Sequence, residues 1–386
     1  MTERLYYQDC YLRDFTARVV ETSPDGLRVY LDRTAFYPTS GGQLFDTGTL
    51  SGSQVTDVLD EGERVAHMVA SPLSVGEVTG EIDWARRFDH MQQHSGQHLL
   101  SAVLEELFQI PTVSVHLGAE SSTVDLATPA LSAAQIEQAE ERCAEIIREA
   151  RPIQIAFEEA SSDLGLRKAT ERAGTVRIVS IEGVDRSACG GTHVRTTGEI
   201  GLLVMRKLDK MRGNVRLEFV CGLRALRQTR ADFRILQDIS RLVSVPASEA
   251  PALIAAQLDR LKAVEKLANK LAVELALREG KEQWTATEPD ASGLRRLTVR
   301  GAIDDTVRTR AQAFCSQGRA IFLAISQEPP SVLLAAAADS GVHAGECLKA
   351  AVSAAGGRGG GNQGLAQGSL PATADLDAIA SALLLI

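Results

Sequence analysis

The stretch Arg86-Arg-Phe-Asp-His90-Met-Gln-Gln-His94-Ser-Gly-Gln-His98-Leu-Leu-Ser-Ala-Val-Leu-Glu-Glu-Leu-Phe108 is where the chain changes period. Leu99, Leu100, Val103, Leu104 and Leu107 recur at helical spacing, which predicts a helix with one apolar face. Before it the chain reads as β. The run Leu27-Arg-Val-Tyr-Leu-Asp32 alternates apolar and polar side chains over much of its length, as a half-buried strand does. Turn signals crowd around it at Ser23-Pro-Asp-Gly26, Ser40-Gly-Gly42, Asp46-Thr-Gly48 and Ser51-Gly52. Short strands between glycine turns predict a small barrel or folded sheet.

Beyond the helix, residues 110–220 mix the two periods. Gln135 to Arg148 reads as a helix, and Val176–Ile181 and Val215–Val220 as strands. Arg224 to Arg241 is helical again. After Pro246 and Pro251, Leu261, Val264, Ala268, Leu271 and Leu275 form a short heptad-like seam, which suits either a packed linker helix or hairpin, or a dimerising coiled coil. From Leu297 onward, strand-like runs at Ala320–Ile325 and Val332–Ala337 alternate with helices, interrupted by Gly356-Gly-Arg-Gly-Gly-Gly361. The expected fold is α+β and multidomain. Its parts are a β-barrel domain at 1–85, a mixed domain carrying the candidate metal site at 86–235, a helical linker at 236–284 and a C-terminal glycine-rich α/β domain at 285–386.

A chain of 386 residues suits two to four such units. No apolar stretch approaches the length of a membrane span, and the polar start MTERLYYQDC is no signal peptide, so a cytoplasmic location is the default expectation. The six cysteines form no C-x-x-C pair and read as reduced thiols, most of them small buried groups. A net charge of -9 argues against a protein that coats nucleic acid indiscriminately, and neither DNA nor a membrane is an expected partner. It leaves room for a local phosphate-binding face. Arg206, Lys207, Lys210, Arg212 and Arg216 cluster, and Arg224, Arg227 and Arg230 recur every three residues.

Chemistry concentrates in two short segments. His94-Ser-Gly-Gln-His98 puts two imidazoles four residues apart on one helix face, where they can share a metal. His90 extends the series, so either adjacent pair could ligate, and two histidines without a metal remain the plain alternative. A zinc protease of the H-E-x-x-H type needs a glutamate where Ser95 stands. Cys189-Gly-Gly-Thr-His193 adds a thiolate and an imidazole in a flexible loop. His94, His98, Cys189 and His193 together are the nitrogen and sulfur inventory that zinc prefers.

His94-x-x-x-His98-Leu-Leu, Cys189-Gly-Gly-Thr-His193-Val and Thr197-Gly-Glu-Ile-Gly201 are similar to the editing domain of alanyl-tRNA synthetase. Leu31-Asp-Arg-Thr-Ala-Phe-Tyr-Pro-Thr-Ser-Gly-Gly-Gln43 resembles the family's preceding barrel, and Gly356–Gly361 with Ala366-Gln-Gly368 its C-terminal domain. The synthetase's aminoacylation motifs are missing, so the chain resembles the long form of the AlaX trans-editing proteins. Where the synthetase's glycine run continues into Arg-Pro-Asp-Met, this chain has Asn362-Gln-Gly-Leu365.

The resemblance implies hydrolysis of the ester in seryl-tRNA(Ala), with glycyl-tRNA(Ala) as a second substrate to test. It implies Zn2+ held by His94, His98 and Cys189, with His193 a fourth ligand or a group displaced by substrate. The ion would either lower the pKa of a water or hold the substrate. Thr34 and Gln43 are implied as the groups recognising the serine hydroxyl, Gly41 and Gly42 as close-approach backbone, and His116 as a residue bordering the site. Arg216 and its basic neighbours are the expected tRNA contacts. A homodimer through the linker or C-terminal domain is a further expectation. The competing reading is a non-catalytic, zinc-stabilised tRNA-binding protein. A phosphoesterase with a similar C-terminal domain needs an Asp-His-His motif that this chain lacks.

Overall fold

The turn glycines of the first eighty residues separate eight strands: β1 (Glu3–Arg4), β2 (Asp14–Thr22), β3 (Arg28–Leu31), β4 (Arg33–Thr34), β5 (Gly48–Leu50), β6 (Ser53–Asp60), β7 (Val65–Val69) and β8 (Gly76–Ile82). The structure is a computed structural model and describes residues 1–160, 164–170 and 174–385. Six strands close a barrel in the order β2-β3-β7-β6-β5-β8, all pairs antiparallel. Period-two patterning drives this: Phe15, Ala17 and Val19 of β2 point inward while Asp14, Thr16 and Arg18 face water. Closure leaves the barrel strands no open edge.

The helix α1 (Trp84–Phe108) starts at Asp83, whose carboxylate accepts from the Arg86 amide, and ends where Gln109 turns left-handed at φ 58°. It is not the one-faced helix that its apolar stripe predicts. Every residue from His90 to Leu104 is buried, because further elements surround it. The elements that follow are β9 (Thr112–Leu117), β10 (Ser122–Leu126), α2 (Ala133–Arg148), β11 (Ile153–Glu159), β12 (Thr175–Ile181), β13 (Asp185–Ala188), β14 (Leu203–Lys210), β15 (Val215–Cys221) and α3 (Gly222–Val243), of which β9, β10, α2, β13 and β15 pack against α1. They form a sheet β14-β15-β10-β9 and a smaller one, β11-β12-β13. Buried polar groups on α1 must then find partners. Gln93 exchanges hydrogen bonds with the Cys221 backbone, and Gln92 donates to the Glu199 carbonyl.

Barrel and helix are locked together by Arg87 and Asp46, both fully buried. The guanidinium holds the carboxylate and also donates to the Cys10 and Ala35 carbonyls, while Asp46 accepts from the Tyr37 amide. The segment between Thr34 and Asp46 is thereby pinned beside α1.

Compactness divides the chain into two units, Met1–Asp238 and Ile239–Ile386. The second contains α4 (Ala250–Ala286), β16 (Arg295–Arg300), α5 (Asp305–Cys315), β17 (Ala320–Gln327), β18 (Pro330–Ala336), α6 (Ala344–Ala354), β19 (Arg358–Gly361), β20 (Leu365–Ser369) and α7 (Leu376–Leu384). Its sheet runs β16-β17-β18-β20-β19, with only β16 and β17 parallel. The glycine run does not interrupt the sheet; Arg358–Gly361 is its edge strand. A Cβ on Gly361 would lie 2.4 Å from the Ala366 backbone, and one on Gly359 2.8 Å from that of Gly368, so only glycine permits this approach. Toward its end α4 packs closely on α5 at Gly280, while Leu261, Val264, Leu271 and Leu275 of the seam are more than half exposed. The six cysteines are unpaired, five of them buried.

Candidate metal centre

Two local features build the cluster. On α1, His94 and His98 are one turn apart, with ring centroids 5.2 Å from each other. The loop after β13 folds Cys189 and His193 onto that face, bringing the His193 ring to 4.4 Å from His94 and 4.7 Å from His98. The loop approaches this closely because Gly191 has no side chain: a Cβ there would stand 2.1 Å from His94 Cε1. His90, the third histidine of the series, stays out. It is buried with an unpartnered Nδ1, and burial lowers its pKa to about 4.

Each imidazole is oriented through Nδ1 by a residue distant in sequence. His94 Nδ1 meets Gln43 Oε1 at 2.8 Å, His98 Nδ1 meets Asp185 Oδ2 at 2.8 Å, and His193 Nδ1 meets Ser95 Oγ at 3.1 Å. Carboxamide and carboxylate oxygens only accept, so His94 and His98 carry their protons on Nδ1 and turn an Nε2 lone pair inward. Ser95 Oγ accepts from the Val194 amide and has a second lone pair that can accept from His193 Nδ1, the arrangement that leaves the His193 Nε2 lone pair inward. The partners are themselves fixed. Gln43 also accepts from the Thr192 amide and donates to its hydroxyl, and Asp185 accepts from Arg167 Nε at 2.7 Å and from Ser187 Oγ.

The four donor atoms all lie within 4.8 Å of one another. Cys189 Sγ is 3.4 Å from His94 Nε2 and 3.3 Å from His193 Nε2. A tetrahedral ion bound at ~2.0–2.3 Å has ligand–ligand edges of about 3.3–3.6 Å, which both thiolate–imidazole separations match. The electrostatics agree. Burial would raise the Cys189 thiol, but the His94 and His193 imidazoles outweigh it and hold the group well below its ordinary value. Burial would likewise lower His98, yet Asp185 and Cys189 hold it up at about 9. The cluster favours a positive charge at its centre, carried by a proton or by a metal.

A cleft of about 740 Å³ opens beside it, lined by His94, His98 and Cys189 and also by Gln97, Ser40 and Gly41. His193 is buried and does not line the cleft. Gly41, at φ 56° with open space around it, lines the cleft; a Cβ on Gly42, at φ 87°, would stand 2.9 Å from the Val115 carbonyl.

Other residues singled out in the sequence lie elsewhere. Thr34 is fully buried in the barrel, its hydroxyl bound to His67 Nε2 and to the Phe36 amide, and it does not reach the cleft. Gln43 sits behind His94 and does not line the cleft. His116 is exposed on β9, and its neighbour Val115 takes the cleft side, as strand alternation requires. Four of the eight basic residues are held in ion pairs among the described residues. Arg216 pairs with Asp125 at 2.7 Å, Arg206 with Asp232 at 2.7 Å, and Lys207 with Asp209 at 2.9 Å, while Arg224 is buried against Asp89. Asp185 and Ser95 escaped sequence reading, since nothing local marks an orienting group.

Residues 176–218 match the family described as the Threonyl and Alanyl tRNA synthetase second additional domain, and residues 298–385 match the DHHA1 domain. The first match contains β13 and the Cys189–His193 loop, which sets this protein in the class built on a synthetase-type additional domain. Relatives narrow the class. The chain is 30% identical to the alanyl-tRNA editing protein AlaX-L of Pyrococcus horikoshii, over 96% of this chain and 95% of the relative. It is 36% identical to the mouse alanyl-tRNA editing protein Aarsd1 over 58% of this chain and 60% of that protein. Against the alanine–tRNA ligase of Pyrococcus abyssi it is 30% identical over 96% of its own length and 42% of the ligase. The chain belongs to the family of alanyl-tRNA editing proteins.

Proposed function

We propose that this protein is a zinc-dependent trans-editing deacylase that hydrolyses seryl-tRNA(Ala) to serine and tRNA. The observation that carries the reading is the orientation of three Nδ1 atoms by Gln43, Asp185 and Ser95, which aims three imidazoles and the Cys189 thiolate at one point on the wall of a cleft. One thiolate and three neutral imidazoles are a donor set that zinc prefers over harder cations. When bound, zinc supplies Lewis acidity at the ester or a fixed point for the substrate's amino or hydroxyl group.

The chain's own residues do the positioning. His94, His98 and Cys189 would hold the ion, with His193 as a fourth ligand or as the group that substrate displaces. Gln43 acts through His94. Thr34 acts further out, by securing the barrel end of the segment that delivers Gln43 and Gly41. The cleft offers hydrogen-bonding groups such as Gln97 and Ser187 that a serine hydroxyl can use and an alanine methyl cannot. Exposed His116 and half-exposed Arg216 are assigned to the tRNA body. Self-association through the exposed α4 seam belongs to the same reading and is read out by sedimentation of wild type against Leu261→Glu.

The test is release of radiolabelled serine from seryl-tRNA(Ala), with glycyl- and alanyl-tRNA(Ala) in parallel. Wild type is expected to release serine rapidly and to spare alanine, and Cys189→Ala and chelated protein to lose the activity. Tight tRNA binding without release by zinc-loaded wild type would replace this reading with the non-catalytic one.

A further inference from the structure

The chain has five tyrosines, and three of them, Tyr6, Tyr7 and Tyr37, line the cleft beside the cluster. Such a concentration on an otherwise polar wall calls for a ligand surface or a packing reason. Tyr6 and Tyr37 supply the packing: both are buried, their rings meet edge to face at 5.3 Å, and burial pushes both phenols well above their ordinary range. Tyr7 is different. It is half-buried, its ring nearly perpendicular to that of Tyr6 at 5.0 Å, with the Arg4 and Arg177 guanidiniums obliquely over it at 5.5 and 5.4 Å and its hydroxyl 3.2 Å from Arg4, which is itself paired with Asp60.

Its position is tied to the cluster. Arg177, almost fully buried, donates through Nε to the Tyr7 carbonyl at 3.1 Å and through an Nη to the Cys189 carbonyl at 2.6 Å. A Cβ on Gly190 would touch the Tyr7 hydroxyl at 3.5 Å. The ring is thus fixed beside the loop that carries Cys189. The cleft, at about 740 Å³, falls in the ~300–1,000 Å³ range that takes drug-sized ligands, well beyond what a serine side chain needs. In the substrate, serine is joined to a ribose that carries a base.

We propose that Tyr7 binds the nucleobase of the terminal nucleoside of the charged tRNA, its ring offering the stacking face and Tyr6 and Tyr37 its rigid backing. The inference rests on the deacylase reading and extends it to the part of the substrate that does not react. Because every base has a π-face, this contact selects a nucleoside rather than a particular base. It anchors the ribose so that the ester lies at the cluster.

The test measures calorimetric affinity of zinc-loaded protein for 3′-deoxy-3′-(L-serylamino)adenosine and for its abasic counterpart, which keeps the serylamino-ribose. Tyr7→Ala and Tyr7→Leu are expected to weaken the adenosine compound about 10-fold, while Tyr7→Phe binds as wild type does. The abasic compound binds wild type and both truncated variants alike. Tyr7→Leu retains bulk, so it serves if Tyr7→Ala does not fold. Equal affinity of wild type and the truncated variants for the adenosine compound overturns the inference, and so does equal weakening of both compounds. Release of serine from seryl-tRNA(Ala) is followed in parallel. Hydrolysis by wild type with no effect of Tyr7 sinks the base contact alone; Tyr7-dependent nucleoside binding without hydrolysis sinks the deacylase reading alone.

Discussion

Asp185→Asn isolates the orienting shell from the donors. The Asp185 side chain is fully buried and accepts from His98 Nδ1 at 2.8 Å, Arg167 Nε at 2.7 Å and Ser187 Oγ at 3.0 Å. Asparagine fits the same volume but offers one accepting oxygen. Turned toward His98 it presents its amide hydrogens to Arg167, another donor; turned the other way it confronts His98. Either orientation removes the negative charge that supports imidazole basicity and leaves one donor facing another. Loss of an outer-shell partner weakens metal binding ~10- to 100-fold, about 1.4–2.7 kcal/mol. Full burial and the second clash at Arg167 place this substitution near the upper end, roughly 100-fold. Competition for zinc against a chromophoric chelator at pH 7.5 measures it, with circular dichroism and melting confirming the fold. An unchanged zinc affinity in a folded Asp185→Asn protein would refute the claim that Nδ1 orientation builds the site.

Neighbouring glycines should respond oppositely: Gly190→Ala keeps activity because its Cβ meets only Tyr7 at ordinary contact distance. Gly191→Ala, whose Cβ would stand 2.1 Å from His94 Cε1, should cost roughly 100-fold in kcat/KM, and equal rates for the two would contradict the geometry. Arg87→Met strands the buried Asp46 carboxylate and should lower unfolding free energy by about 3–5 kcal/mol in urea titrations. His67, wholly buried, has its pKa lowered by desolvation from 6.5 to about 4, so the fold excludes its proton. Its stability contribution is complete above pH 6.5 and is lost as pH falls toward 4, about 3 kcal/mol in all. His67→Gln should flatten the stability–pH curve across that window, and an unaltered curve would count against burial as the cause.

A small barrel or folded sheet was legible because Val29 and Leu31 alternate with Arg28, Tyr30 and Asp32 between glycine turns, and period two assigns their faces locally. Register and partner order were not legible, since strands far apart in sequence must meet. The apolar stripe of α1 announced a helix but not its complete burial. A stripe reports the strongest contact, whereas the polar positions of this helix are covered by strands and helices from the following hundred residues. His116 was expected to border the site, but strand alternation sends it and its neighbour to opposite faces, and Val115 takes the cleft. Thr34 fails to reach the cleft for a related reason, its hydroxyl being engaged by His67 inside the barrel.

The sequence by itself determined the candidate donors. A four-residue step on a helix brings two imidazoles together whatever the rest of the chain does, and two glycines between Cys189 and His193 let that loop double back. Tertiary structure alone decided which pair of the three helical histidines serves, and why. The Nδ1 partners stand 51, 87 and 98 residues from the imidazoles they orient. No local pattern connects groups so separated; only barrel, helix and loop packed together bring an acceptor to each ring.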